Sequence, residues 1–407
     1  MNASIKSDIF KYAFVQILSK GLTLLSTYTI AYLSSDEIFG YIALLQASLV
    51  AMITIFGFNL QSGIIRFYFN HTLNKIVSAA LPIVISLCLL SVISSFALYF
   101  VISSHPEYKF FYLLPFVGFL SGFGYIISML GRSNKKFYIY AFSELCRPFL
   151  LILLILFLYF SELNLIKWYV IVLLSSGVFV SFYGVLNYKN LINPDVEVIE
   201  DILSTKIIFI YTVPLFFVQL MSLINNVSDK YILKLYLDIE SVGIYGKAYL
   251  LGSTLGLLCD SLMLLWVPYT IKYKEMILNK YYNKIIKMIF MLIFASFIVL
   301  LIALLVISYK VNFWNLKQTL IPTALIVVSA FIVRIGYQII TPILNAFDKT
   351  FFVARISTIS MVLGLTFNFI LIPYIGIYAA ALSTFLSFFV YTIFSVLSLR
   401  KTKQSYG

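Results

Sequence analysis

Charge is what this 407-residue sequence has least of: Asp, Glu, Lys and Arg make up 11% of it, against about a quarter of a soluble domain. Histidine is nearly missing, with His71 and His105 alone and no ligand spacing between them, so a metal centre is not expected. The three cysteines, Cys88, Cys146 and Cys259, all fall inside apolar runs and read as small packing residues rather than ligands or bridges. A phosphate loop is absent as well. Gly246-Lys247 is its only echo, and position 241, where the pattern needs glycine, is Ser241. Nucleotide and cofactor are therefore not expected. The apolar runs also lack the ten-residue alternation of a membrane barrel, which leaves helices as the spanning element.

What is present is apolar. Hydrophobic residues reach 62% and the mean hydropathy is +1.00, the composition of an integral membrane protein. Twelve runs approach the roughly 20 residues that cross a bilayer: 12–33, 41–60, 77–102, 110–130, 138–160, 166–187, 207–228, 242–266, 285–308, 318–345, 352–373 and 376–399. The first lacks a small-residue cleavage site before Asp36-Glu37 and is expected to be retained as a helix. The net charge of +13 does not imply nucleic acid. With connections assigned alternately from a cytoplasmic N-terminus and residues at run ends counted with them, nineteen of the 29 Lys and Arg lie on the inner side, six on the outer side and four deeper within runs. That asymmetry follows the positive-inside rule and puts both termini in the cytoplasm.

The stretch from Ile207 to Leu265 organises the rest. Two apolar runs flank a charged segment from Asp229-Lys230 to Glu240, read as a short turn. Gln219, Ser222, Asn226 and Asp229 share roughly an 80° arc of the first run. A lipid-facing helix gains nothing from such a stripe, so it should face a bundle interior or cavity. Similar stripes are Gln16, Lys20, Thr23 and Thr27 in the first run and Arg334, Gln338, Thr341 and Asn345 in the tenth. Lys247, Thr254 and Ser261 share an arc of the eighth run, with Asp260 on another face. Glu144 and Arg147, three apart, can pair on one helix face. Gly118 and Gly122 have the spacing that lets two helices approach closely.

The acidic stretch with Asp195, Glu197, Glu200 and Asp201 divides the chain into an N-terminal six-helix lobe at 1–190, a cytoplasmic linker at 191–206 and a C-terminal six-helix lobe at 207–407. The lobes echo each other. At an offset of 203, Gln16 falls on Gln219, Glu37 on Glu240 and Gly40 on Gly243; a second echo, at a different offset, pairs Asn134-Lys135-Lys136-Phe137 with Asp348-Lys349-Thr350-Phe351. A parallel duplication places a substrate path between halves. The fold class is thus all-α integral membrane, with about twelve transmembrane helices in two six-helix lobes.

The segments TVPLFFVQLMSLINNVSDKYIL and LDIESVGIYGKAYLL resemble the O-antigen (Wzx-type) polysaccharide flippases of the MOP exporter superfamily. So do YLSSDEIFGYIALL and GIIRFYF in the first half. The resemblance implies a MATE/MOP-like fold and a central cavity. It also implies passage of undecaprenyl-pyrophosphate-linked oligosaccharide, an O-antigen or capsule repeat unit, from inner to outer leaflet by alternating access. The implied partners are the lipid-linked oligosaccharide, membrane lipids and other polysaccharide-assembly membrane proteins. Lys20, Arg66 and Lys247 stand nearest to the cationic cavity positions typical of that family.

Lys20 and Arg334 are the leading substrate contacts, because each lies too deep to reach the interface and a central charge costs about 2.5–3.5 kcal/mol on insertion scales. Arg147, Lys247, Arg66, Gln16 and Gln338 complete the candidate set, and Asp229, Asp260 and Glu144 are candidates for ion coupling. Plainer readings stand beside these: Lys247 can snorkel to the outer boundary, and Glu144 with Arg147 can form a structural ion pair. A cation-coupled MATE-type exporter would want acids to dominate its cavity, whereas cations lead here. A membrane-embedded polymerase or acyltransferase would want a sizeable catalytic loop or a central histidine, and neither is found.

Overall fold

The computed structural model describes residues 3–68, 71–102, 106–159, 164–191, 203–310, 316–347 and 349–406. His105, Asp348 and the acidic residues of the expected linker, Asp195 to Asp201, lie outside them. The described chain is helical, with no strand: α1 (Ala3–Leu33), α2 (Asp36–Gly57), α3 (Leu60–Tyr68), α4 (Leu73–Ile102), α5 (Leu114–Ser133), α6 (Phe137–Tyr159), α7 (Leu165–Leu186), α8 (Tyr188–Leu191), α9 (Thr205–Tyr236), α10 (Ile239–Lys272), α11 (Lys274–Met276), α12 (Tyr282–Lys310), α13 (Leu316–Ala346), α14 (Thr350–Ile375) and α15 (Ile377–Tyr406). Eleven helices among the described residues are long and apolar enough to span a bilayer, which makes this a multi-pass membrane protein. Helix α1 is also long enough at 31 residues. Its stripe of Gln16, Lys20, Thr23 and Thr27 lowers its hydropathy.

The chain forms two compact units. Unit 1 comprises residues 1–30 and 45–223, and unit 2 comprises 31–44 and 224–407.

In unit 1 the glycines of α5 set the packing. A Cβ on Gly118 would lie 2.6 Å from Met52 backbone, and one on Gly122 would lie 2.7 Å from Gly57 Cα, so α5 meets α2 backbone to backbone. The run expected to continue through residue 60 instead ends at Gly57. Phe58 and Asn59 both have positive φ, 48° and 49°, a conformation that a bulky residue such as Phe adopts only when held there. The Phe58 ring is clamped by stacking on Phe216 and Phe209, with centroids at 4.7 and 5.6 Å. Helix α6 contains Pro148, which cannot donate to the carbonyl four residues back. That carbonyl belongs to Glu144, and Ser19 Oγ of α1 donates to it at 2.8 Å.

In unit 2, α13 packs against α10, α12 and α15. Gly252 and Gly256 of α10 leave room for Val327 and Phe331. Helices α14 and α15 meet through serines: Ser360 Oγ donates to the Ser387 carbonyl at 2.6 Å, and Ser387 Oγ returns to the Ser360 carbonyl at 3.2 Å. Their hairpin turns at Gly376, φ 58°.

Residues that echo each other in the sequence make one further contact of unit 2. A Cβ on Gly40 would overlap the Ile239 carbonyl, and a Cβ on Gly243 would overlap the Asp36 carbonyl. Asp36 and Ile239 are themselves equivalent at the offset of 203, so the two echoed glycines make one reciprocal contact, each with the partner repeat's helix start.

Candidate functional site

One polar cluster of unit 2 lies between α10 and α13. Arg334 Nη2 is 3.6 Å from Asp260 Oδ1, and Gln338 Nε2 donates to the same oxygen at 2.6 Å. Helical spacing places Arg334 and Gln338 one turn apart on α13, facing Asp260. The guanidinium stacks over Phe331 and Phe388, 5.2 and 5.8 Å from their centroids. Gly256 gives it space, since a Cβ there would lie 3.4 Å from Arg334 Nη1. Two polar atoms of this cluster, Arg334 Nε and Gln338 Oε1, are buried without a hydrogen-bond partner. Arg334 Nε thus keeps an unused donor and Gln338 Oε1 an unused acceptor.

A second cluster surrounds Asp229, which is 3% exposed. Tyr245 donates to Asp229 Oδ2 at 2.5 Å, and Lys230 Nζ stands 3.6 Å from Oδ1 and 4.3 Å above the Tyr249 ring. The segment read as a turn beginning at Asp229-Lys230 is helical: α9 continues to Tyr236, and Lys230 and Lys234 belong to that helix rather than to an outer connection. The turn is Leu237-Asp238, where Asp238 caps α10 by accepting from the Ser241 amide at 2.7 Å. Lys247 is not near Arg334. Its ammonium donates to Asp36 Oδ1 at 2.6 Å and to the Ser34 carbonyl at 3.2 Å.

Unit 1 holds the remaining candidates. Glu144 and Arg147 do not form the expected pair. Ser128 Oγ donates to Glu144 Oε1 at 2.7 Å, and Arg147 Nη2 donates to Ser121 Oγ at 2.7 Å. Both serines belong to α5, which reaches each side chain before they reach each other. Gln16 accepts from Tyr140 at 3.4 Å, Lys20 is half-buried on α1, and Arg66 is exposed on α3. On α9, Gln219 Oε1 is buried with no hydrogen-bond partner. The three thiols are free, and no group of three or more His, Cys, Asp or Glu able to hold a metal occurs among the described residues.

The residues that sequence reasoning passed over are mostly hydroxyls. Tyr245, Tyr249, Ser121 and Ser128 all face a charged group, as does Lys230. The four-residue spacing of Tyr245 and Tyr249 is a visible helical signal, masked by 30 tyrosines in the chain.

Residues 5–274 match the family model described as "Polysaccharide biosynthesis protein". The chain belongs to that family. This family member shares its fold with solved transporters of low sequence identity. The lipid II flippase MurJ in an inward closed conformation is 17% identical at a TM-score of 0.64, over 97% of this chain and 89% of that one. A multidrug resistance MATE family transporter of the MOP superfamily, inward-facing, is 13% identical at 0.67, over 97% and 98%. The Vibrio cholerae MATE transporter VcmN in its bent form is 11% identical at 0.56, over 99% and 98%. No curated protein sequence matches. The fold class of this family member is therefore MATE/MOP-like.

Proposed function

We propose that this polysaccharide biosynthesis protein is a flippase. It carries undecaprenyl-pyrophosphate-linked oligosaccharide, an O-antigen or capsule repeat unit, from the inner to the outer leaflet of the bacterial cytoplasmic membrane by alternating access. Both termini lie in the cytoplasm on this reading. The observation that carries it is the Arg334–Asp260–Gln338 cluster: a cation kept within a membrane-spanning helix of a polysaccharide biosynthesis protein, with one unpartnered atom on Arg334 and one on Gln338. A cation at that depth is costly unless compensated, and Asp260 compensates it only in part at 3.6 Å. A pyrophosphate supplies the missing anion, and sugar hydroxyls match an amide oxygen such as Gln338 Oε1.

Arg334 and Lys20 are the anionic-substrate contacts, with Arg147 as a further member. Lys247 is already held by Asp36 and is a weaker one, and Arg66, exposed on α3, stands beside it as a less central member. Gln16 and Gln338 serve sugar hydroxyls or orient neighbouring charges. Asp229, buried and bonded to Tyr245, is the strongest of the three ion-coupling candidates, ahead of Asp260 and Glu144. A guanidinium can hold phosphate oxygens bidentately and an ammonium cannot, so Arg334→Lys should be tolerated worse than Lys20→Arg.

The test is complementation of a null strain by Arg334→Ala and Lys20→Ala proteins shown to be present in the membrane at normal level. The null strain should accumulate lipid-linked glycan on the inner leaflet while still synthesising it, and both variants should restore less surface polysaccharide than the native chain. Full restoration by both would make these charges structural.

A further inference from the structure

Unit 1 contains a slot of about 270 Å³ walled by α3, α4, α5, α7 and α8. Its floor is buried and wholly aliphatic, with Ile76 at 0%, Ile127 at 3% and Leu130 at 6% exposure. Its lips are open: Val77 and Leu81 on α4 are 37% and 48% exposed, and Val185 on α7 is 63% exposed. Gly184 permits the close α5–α7 approach at the floor, because a Cβ there would overlap Ile127. In a membrane-spanning bundle, a slot with apolar lips opens to lipid rather than to water.

One end of the slot is strongly basic. Leu73, Leu130 and Tyr188 line it, and Lys75, Arg132 and Lys189 follow them within two residues. Lys135 and Lys136 join this group, because Asn134 Nδ2 donates to the Asn190 carbonyl at 3.0 Å and fixes the α5–α6 turn beside α8. Tyr188 donates to Asn74 at 2.6 Å and ties α8 to the start of α4. All five cations are exposed, and α4, α5, α7 and α8 carry no acidic residue at all. The collar thus complements an anion of several charges, and the slot accepts one apolar chain.

We propose that the slot and its collar form an entry site for the transported lipid, with a polyprenyl chain in the slot and its diphosphate on the collar. This rests on the flippase reading above. A diacyl phospholipid fits less well, since it brings two chains to one slot and a single phosphate charge to five cations. By the positive-inside rule the collar faces the cytoplasm, the leaflet from which such a substrate would be collected.

The experiment uses the full chain in nanodiscs of zwitterionic phosphatidylcholine and a polyprenyl diphosphate with a photoreactive group on the chain. Photolabel should fall on the peptides carrying Val77, Leu81 and Val185. Lys135→Gln/Lys136→Gln/Lys189→Gln should weaken diphosphate binding by on the order of 100-fold at low salt, at about fivefold per lost charge. The same variant should leave binding of the uncharged polyprenol unchanged. Val77→Trp, on the open lip, should weaken both lipids, and Leu81→Trp replaces it if that protein does not assemble. Labelling elsewhere, or variants that bind like the native chain, would overturn the proposal. So would competition by phosphatidylglycerol at the same concentration as the polyprenyl diphosphate, which would mark a general phospholipid site. Binding is read without transport. Normal slot binding together with normal surface glycan in the null strain would sink the flippase reading alone, whereas a glycan defect in the null strain with unlabelled lips would sink the slot alone.

Discussion

Alanine at Gly40 or Gly243 should destabilise the protein although alanine is the better helix former. Both glycines sit inside helices, α2 and α10, where Gly→Ala ordinarily contributes about 1 kcal/mol of stability. Here each new Cβ would overlap a carbonyl oxygen of the other helix's first turn. Backbone cannot rotate away as a side-chain tip can, so the overpacking cost lies at the upper end of the usual 1–3 kcal/mol. The net is a loss of about 2 kcal/mol per site. For a unit of about 200 residues, such as unit 2, that lowers Tm by about 4–8 °C. The contact is reciprocal, so the first alanine already parts the two backbones. The double variant should then lose less than the two singles combined, with a coupling of about 0.5–3 kcal/mol. Calorimetry of the purified chain in detergent, at one scan rate because unfolding of such proteins is often irreversible, measures all three. Gly21→Ala is the control, since nothing lies within 4 Å of its Cβ position. If Gly243→Ala melts at or above that control, the reciprocal contact is not what holds the hairpin at residues 31–44.

Three other outcomes follow from the same geometry. Asp260→Asn keeps an acceptor for Gln338 but strips Arg334 of its counter-charge. With these side chains 34% and 20% exposed, the loss is about 1–2 kcal/mol rather than the 3–5 of a fully buried pair, and Asp260→Asn/Arg334→Gln should melt above the single variant. Ser19→Ala orphans the Glu144 carbonyl freed by Pro148 and should cost about 1–2 kcal/mol, a loss that Pro148→Ala suppresses by restoring the helical donor. Asp36→Lys should lower Tm modestly, by an amount matching about 1 kcal/mol, and the exchanged pair Asp36→Lys/Lys247→Asp should recover most of it.

Much of this architecture is legible in the sequence because a bilayer restricts the choice of element. Length and hydropathy pick out the helices, and the glycine pair at 118 and 122 marks a close approach that the structure completes with Gly57. The offset of 203 finds Gly40 and Gly243 without showing that they touch. Charge is where reading by helical spacing falls short. Spacing says which side chains share a face of one helix and nothing about the neighbouring helix, so it puts Arg147 beside Glu144 and cannot see Ser121 or Ser128 on α5. The same blindness ends α9 too early: Asp229 and Lys230 look like a connection because their partners, Tyr245 and Tyr249, lie on another helix. Asp260 and Arg334 are each visible as intramembrane charges, but their meeting depends on α10 packing against α13.

On the proposed flippase reading, the partners found for these charges bear on which of them would serve an anion. Lys247, Lys230 and Arg334 each face a carboxylate, at 2.6, 3.6 and 3.6 Å. Much of each field is cancelled inside the protein, so on the proposed flippase reading a substrate phosphate would compete with a fixed acid. Arg147 differs. Its hydrogen bond is to a serine hydroxyl, which satisfies one N–H without cancelling the charge, and among the described residues no carboxylate lies within ion-pair distance of it. In a low-dielectric setting an uncancelled charge acts further and more strongly than a paired one. On the proposed reading, available field favours Arg147 over Lys247. Arg334 keeps its place because its geometry still offers an unpartnered donor, Nε, that Asp260 leaves unused.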